Sequence, residues 1–148
     1  MLEIGKKVPD FQSVDQNNEQ VRLSDYLGKS VIIYFYPKDD TPGCTKQACN
    51  LRDNYEQLIN DGYVILGVST DTIKSHQKFI NKFSLPFTLL SDTNKEVHNL
   101  FGTWAEKQSF GRKYMGTVRT TFVIDEQGVL QKIINKVKTD NHTHQIID

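Results

Sequence analysis

The chain has 148 residues, 37% of them hydrophobic, and its 18 Lys and Arg residues balance 18 Asp and Glu residues. A chain of this length buries about 68–70% of the surface that its unfolded form exposes, so its stability requires neither a disulfide nor a metal ion. The balanced charge argues against nucleic acid or an acidic lipid surface as a partner. We therefore expect one domain over residues 1–148, with no metal and no other cofactor.

The sequence also bears on the compartment and on the role of its cysteines. No apolar run reaches the roughly 18 residues of a membrane span. The N-terminus lacks the apolar core of a secretory signal. We expect a cytoplasmic protein that does not bind a membrane. Thiols are kept reduced in the cytoplasm, so Cys44 and Cys49 are expected to serve catalysis or metal binding rather than a structural bridge.

The first predicted elements lead to one central strand. Residues 11–14 and 21–23 alternate in polarity around a polar turn, which predicts a hairpin. A short helical turn follows, from Ser24 to Gly28. Residues 31–36 are an unbroken β-branched and aromatic run that Pro37 stops, which predicts a strand buried on both faces of a sheet.

Helices and strands alternate after the central strand. The remaining predicted elements are a helix over 42–60, a strand over 63–69, a helix over 72–83, a strand over 88–90, a helix over 95–101 and a hairpin of strands over 121–125 and 129–134. This order predicts an α/β fold with a mixed central sheet flanked by helices and an N-terminal β-hairpin.

The loop over residues 37–44 is the expected place for chemistry, because sites in such sheets lie beyond the carboxyl ends of the strands. Cys44 lies in the first turn of the predicted helix, where unpaired N–H groups and the helix dipole favour a thiolate. Gly43 lets a substrate approach the backbone, and the Thr41 hydroxyl can turn toward the sulfur. The charged residues 38–40 are expected at a solvated edge of this loop.

The motif Pro37-xxx-Thr41-xx-Cys44 is similar to the active-site signature of the peroxiredoxin family. The string YPKDDTPGCTKQACNLRD resembles the branch known as bacterioferritin comigratory protein or peroxiredoxin Q. Further matching segments follow in the family's order over residues 64–71, 87–92, 101–104 and 119–125. The resemblance covers nearly the whole chain and implies a thioredoxin-like fold.

The resemblance also implies a reaction, the reduction of hydrogen peroxide and organic hydroperoxides with Cys44 as the peroxidatic residue. A thiolate attacks one peroxide oxygen while hydrogen-bond donors support the departing oxygen. The family's catalytic motif maps onto Pro37, Thr41 and Cys44, and its catalytic arginine maps onto Arg119.

The second cysteine allows two interpretations. On one regular helix the Cα atoms of Cys44 and Cys49 lie about 8.7 Å apart, which is beyond the roughly 4.4–6.8 Å of a disulfide. Either Cys49 is inert core or the helix must unwind before it reacts. The resemblance implies that Cys49 is the resolving cysteine, recycled by thioredoxin or a similar dithiol reductant. We expect the protein to be a monomer.

Two features depart from the family's pattern. Gln47 stands where the family often has glutamate, which puts any carboxylate role there in doubt. The segment from residue 141 to residue 148 is shorter than the family's usual closing helix, which could weaken that helix.

Three alternatives remain. A thiol-disulfide oxidoreductase typically uses a Cys-x-x-Cys pair, which is absent here. A metal site built from the cysteines with His142 and His144 does not match compact zinc spacing, and these histidines are expected to be exposed near the chain end. The third alternative is a non-enzymatic interaction module on the thioredoxin fold. Consumption of peroxide separates all of these.

Overall fold

The computed structural model describes residues 2–148. In this part of the chain the strands are β1 Gln12–Val14, β2 Gln20–Arg22, β3 Ser30–Phe35, β4 Tyr63–Ser69, β5 Thr88–Ser91, β6 Trp104–Ser109, β7 Arg112–Thr117, β8 Thr120–Ile124 and β9 Leu130–Ile134. The helices are α1 Pro42–Asp53, α2 Tyr55–Asn60, α3 Ile73–Phe83, α4 Glu96–Phe101 and α5 His142–Ile147, with a 3-10 turn over Leu23–Tyr26.

Five strands form a mixed central sheet in the order β5-β4-β3-β8-β9. The middle strand β3 runs parallel to β4, with Ile33 opposite Leu66. It runs antiparallel to β8, with Ile33 opposite Phe122. Strands β1 and β2 pair as a separate antiparallel hairpin. The predicted mixed sheet, its central strand and the N-terminal hairpin are therefore confirmed.

Alternate residues of β3 face two separate cores, as expected for a strand buried on both sides. Ile33 and Phe35 pack with α4 and the N-terminal hairpin on one face of the sheet. Ile32 and Tyr34 pack on the other face with α1, α2, α3 and α5. The sheet and the surrounding helices thus hold the start of α1 at the carboxyl end of β3.

The predicted helix over residues 42–60 is two helices. α1 ends at Asp53, and Asn54 adopts φ −110° and ψ 13° before α2 begins. The Asn54 side chain donates a hydrogen bond of 2.8 Å to the carbonyl of Asn50, so it competes with the main-chain ladder at that point. The apolar spacing continues through Asn54, which is why the pattern suggested one element.

A hairpin of β6 and β7 lies where the sequence analysis predicted no element. Ser109 pairs with Arg112 at its tip; β7 is largely exposed, whereas most residues of β6 are half-buried. Because the hairpin contributes no residue to the two apolar cores, its sequence shows no alternation of apolar and polar residues.

The last helix, α5, packs against α1. The backbone N–H of Thr143 donates to Asn50 Oδ1 at 2.8 Å. His142 is fully buried, which corrects the expectation of an exposed residue near the chain end, whereas His144 is exposed and faces Asp148. Among residues 2–148 no helix has the length and apolar content needed to cross a bilayer.

Candidate active site

Cys44 lies at the junction of β3 and α1, at the carboxyl edge of the parallel strands. The helix begins at Pro42, whose missing N–H could not have been used inside the helix at that position. Cys44 is the third residue of α1 and carries a free thiol with 2% of its surface exposed. The sulfur therefore sits in the first turn, where the unpaired N–H groups of the helix favour a negative charge.

The guanidinium of Arg119 binds the sulfur directly. Its Nη2 atom donates to Cys44 Sγ at 3.2 Å, and its Nη1 atom donates to Gln47 Oε1 at 2.5 Å. Arg119 lies between β7 and β8, 75 residues away from Cys44. A Cβ atom on Gly43 would stand 3.4 Å from Nη2, so the glycine leaves room for the guanidinium beside the helix start. The arrangement places the positive charge of the guanidinium directly beside a buried thiol.

Gln47 and Tyr34 bring two unpartnered polar atoms into this buried region. Among the described residues, Gln47 Nε2 and Tyr34 Oη have no hydrogen-bond partner. Burial, followed by the nearby Cys44 and Asp39, raises the pKa of Tyr34 well above its ordinary value. The phenol thus stays neutral and is a potential donor.

Thr41 and Pro37 shape the loop before the helix. Thr41 precedes α1, and its hydroxyl donates to the carbonyl of Lys38 at 2.8 Å. Its proton is thus used inside the loop, whereas the sequence analysis expected the hydroxyl to turn toward the sulfur. Pro37 comes two residues after the end of β3, at the start of the loop.

Cys49 lies on the same helix as Cys44 and is a free, partly exposed thiol. Both residues fall within the regular span of α1, so the helical separation of about 8.7 Å between their Cα atoms applies. A direct bridge between them is excluded while α1 is intact.

Asp39 is buried, which corrects the expectation of a solvated edge at this residue, whereas Lys38 and Asp40 are exposed as expected. The carboxylate accepts hydrogen bonds from the Tyr36 hydroxyl at 2.6 Å and from the Ser75 hydroxyl at 2.8 Å, and lies 2.7 Å from His76 Nδ1. Its backbone N–H donates to Asp71 at 2.8 Å. Sequence reasoning missed this cluster because nothing in the sequence links Asp39 to a histidine 37 residues away.

His142 is buried at the start of α5, close enough to Arg119 for that charge to affect its pKa. Its Nε2 atom lies 2.8 Å from the hydroxyl of Thr121, and its Nδ1 atom lies 2.9 Å from Gln145 Oε1. Burial, opposed by the bond to Gln145 and assisted by Arg119, lowers the pKa of His142. Both ring nitrogens are engaged, so His142 offers no free ligand atom for the metal site considered as an alternative.

Known proteins are similar to this chain in sequence and in fold. Residues 4–133 match the AhpC/TSA family. Peroxiredoxin Bcp of Bacillus subtilis is 45% identical over 146 residues, covering 99% of this chain and 93% of that protein, and peroxiredoxin Bcp of Escherichia coli K12 is 44% identical with the same coverage. A structure of Xanthomonas campestris bacterioferritin comigratory protein, which has alkyl peroxide reduction activity, superposes with a TM-score of 0.89 at 30% identity, covering 99% of this chain and 94% of that one.

These similarities in sequence and fold place the chain among the thiol peroxidases. The chain belongs to the AhpC/TSA family, in the branch of the Bcp and PrxQ peroxiredoxins. The resemblance noted from the sequence and the thioredoxin-like fold that it implied are both confirmed.

Proposed function

We propose that Cys44 is the peroxidatic residue and that Arg119 activates it. The observation that carries this proposal is the hydrogen bond of 3.2 Å from the guanidinium to Cys44 Sγ. A cation beside a thiol favours the thiolate, which is the nucleophilic form. The first-turn position of Cys44 acts in the same direction.

In the first step the Cys44 thiolate attacks one oxygen of a hydroperoxide. A sulfur–oxygen bond forms, the oxygen–oxygen bond breaks, and the departing oxygen leaves as water or an alcohol after taking up a proton. Cys44 becomes a sulfenic acid. Arg119 and the N–H groups of the helix start stabilise the charge on the departing oxygen.

Thr41 and Pro37 have supporting roles in this proposal. The Thr41 hydroxyl exchanges its bond to Lys38 for one to the bound peroxide, since a hydroxyl rotates freely between acceptors. Pro37, which lacks an N–H, ends the pairing of the central strand and starts the loop that carries Cys44.

In the second step Cys49 resolves the sulfenic acid. Its sulfur attacks Cys44 Sγ, water leaves, and an intramolecular disulfide forms. Because intact α1 holds the two residues apart, the helix must first lose its early turns. A dithiol reductant such as thioredoxin then exchanges with the disulfide and restores both thiols.

The same proposal covers partners and compartment. Both redox cysteines lie in one chain, so the cycle needs no second subunit and a monomer suffices. Regeneration of two thiols requires a reducing compartment, which favours the cytoplasm. We propose hydrogen peroxide and organic hydroperoxides as substrates.

Consumption of peroxide by the purified protein, with and without a thioredoxin system, tests this function. Cys44→Ser should abolish the activity and keep the fold, because a hydroxyl is a far weaker nucleophile of nearly the same size. Circular dichroism and the unfolding midpoint control for the fold. Activity in this variant comparable to that of the parent would assign the chemistry to another residue.

A further inference from the structure

The loop that carries Cys44 is fastened to the protein at Asp39. The backbone N–H of Asp39 donates to Asp71 Oδ2, and its carboxylate accepts from the hydroxyls of Tyr36 and Ser75. Only residues 40–43 lie between this attachment and the sulfur. Asp39 is therefore a buried attachment point of the loop, close in sequence to the start of α1.

The remaining contact of Asp39 requires an additional proton. His76 is fully buried, and its Nε2 atom lies 3.0 Å from the carbonyl oxygen of Leu90. A carbonyl only accepts, so Nε2 carries a hydrogen. Neutral imidazole has one N–H, which leaves Nδ1 as a lone pair facing Asp39 Oδ2 at 2.7 Å. Two acceptors at that distance repel, so a second proton must lie between them.

The groups around this pair agree with that assignment. The pKa of Tyr36 is raised well above its ordinary value by burial and then by Asp39, so its hydroxyl remains a donor to the carboxylate. The Asp71 carboxylate accepts from the Ser69 hydroxyl at 2.7 Å and from the Asp39 backbone. With one shared proton, Asp39 and His76 carry no net charge, which suits a buried site.

A second buried pair, His98 and Asp92, has no such requirement. His98 Nδ1 lies 2.6 Å from Asp92 Oδ2, but His98 Nε2 lies 2.9 Å from the hydroxyl of Thr117. A hydroxyl can donate, so neutral His98 with one hydrogen on Nδ1 satisfies both contacts. The His98–Asp92 pair is therefore the control, because its burial and its distance between histidine nitrogen and carboxylate oxygen are similar to those of the His76–Asp39 pair.

We propose that Asp39 and His76 are positioning residues for the peroxidase reaction, their shared proton holding the loop so that Cys44 meets Arg119 in the reactive arrangement. This inference rests on the proposed role of Cys44. The pair touches neither the sulfur nor the peroxide and acts only through the loop. When α1 unwinds, Asp39 is the fixed point from which the rearranging segment starts.

The test compares Asp39→Asn with Asp92→Asn. Both changes keep the side-chain size and remove one carboxylate from a buried histidine pair. We measure the rate constant for oxidation of Cys44 by hydrogen peroxide, the titration of the thiolate by ultraviolet absorbance, and the unfolding midpoint. Asp39→Asn should lower the rate constant about 10- to 100-fold, the size of effect expected from a small misplacement of a reacting group. Its thiolate titration should move to higher pH, because Cys44 no longer meets the Arg119 guanidinium in the same arrangement.

Asp92→Asn should lose comparable stability and keep the parent rate constant. Equal slowing in both variants, or a parent-like rate constant in folded Asp39→Asn, would overturn the proposal. If Asp39→Asn does not fold, Tyr36→Phe decides, because it removes one donor to Asp39 and fills the same space. That variant should be slowed several-fold, with a smaller shift of the thiolate titration to higher pH, and an unchanged rate constant would refute the positioning role.

Nuclear magnetic resonance of protein with ¹⁵N-labelled histidine tests the proton itself. Both nitrogens of His76 should couple to a hydrogen at neutral pH, while one nitrogen of His98 should not. A bare Nδ1 on His76 would refute the shared proton. Failure of the parent to react with peroxide would instead count against the proposed role of Cys44, and the two failures are thus distinguishable.

Discussion

Replacing Arg119 by methionine removes the guanidinium and keeps an unbranched side chain in its place. The lost contact is the hydrogen bond of 3.2 Å to Cys44 Sγ. Hydrogen bonds to charged groups contribute about 1.5–3 kcal/mol. At about 1.36 kcal/mol for each factor of ten, the rate constant with peroxide should fall roughly 10- to 160-fold at neutral pH.

The loss should divide into two parts that a pH–rate profile separates. Without the cation the thiolate is less favoured, so the half-maximal rate moves to higher pH. The departing oxygen also loses a donor, so the plateau at high pH falls as well. Arg119→Lys keeps the charge, but its ammonium lacks the planar fork that reaches Cys44 and Gln47 together. Its rate constant should therefore lie between that of the parent and that of Arg119→Met.

The assay is stopped-flow oxidation of the reduced protein by hydrogen peroxide at several pH values. Arg112→Met is the control, because it removes an exposed arginine from β7, the strand that leads to residue 119. A rate constant and a profile in Arg119→Met that match this control would refute the activating role of the guanidinium.

Three further predictions concern the resolving cysteine, the pH dependence of stability and the packing of the core. Cys49→Ser should consume one equivalent of peroxide, turn over poorly with thioredoxin and overoxidise readily, and mass spectrometry detects the overoxidised cysteine. Recycling of this variant at the parent rate would show that Cys49 takes no part in the reaction. Because the pKa of His142 lies below its ordinary value of 6.5 in the folded state, the unfolded state takes up its proton first on acidification. Stability from this histidine should therefore be complete above about pH 6.5 and decline below it, and His142→Gln should flatten that part of a denaturation series against pH. Gly67→Ala should cost about 1–3 kcal/mol of unfolding free energy, since its Cβ would lie 2.6 Å from Leu89 and 2.9 Å from Tyr34; an unchanged urea midpoint would contradict this.

The central strand and its neighbours could be predicted because burial on both faces leaves a continuous apolar run in the sequence. β3 and β4 have this character, and the loop after β3 then falls at the sheet edge where sites are expected. The β6–β7 hairpin could not be predicted in this way, since its strands lie outside the two cores and carry no such run.

The polar interior was the other part that sequence reasoning missed. A charged residue in a loop, such as Asp39, is usually exposed, and its burial depends on a partner that only the tertiary fold supplies. The prediction that His142 is exposed was wrong for the same reason, because its hydroxyl partner is on β8, 21 residues earlier in the chain. The prediction that Arg119 belongs to the site of Cys44 came from the family resemblance and not from any local pattern.

The break between α1 and α2 at Asn54 bears on the reduction potential of the proposed disulfide. The segment that must rearrange in the proposed oxidised form lies within α1, a helix of 12 residues, while α2 can keep its own hydrogen bonds. Each 1.4 kcal/mol by which refolding of α1 favours the dithiol raises the potential of the pair by about 30 mV. Substitutions that stabilise α1 should thus make the disulfide easier for thioredoxin to reduce and harder to form.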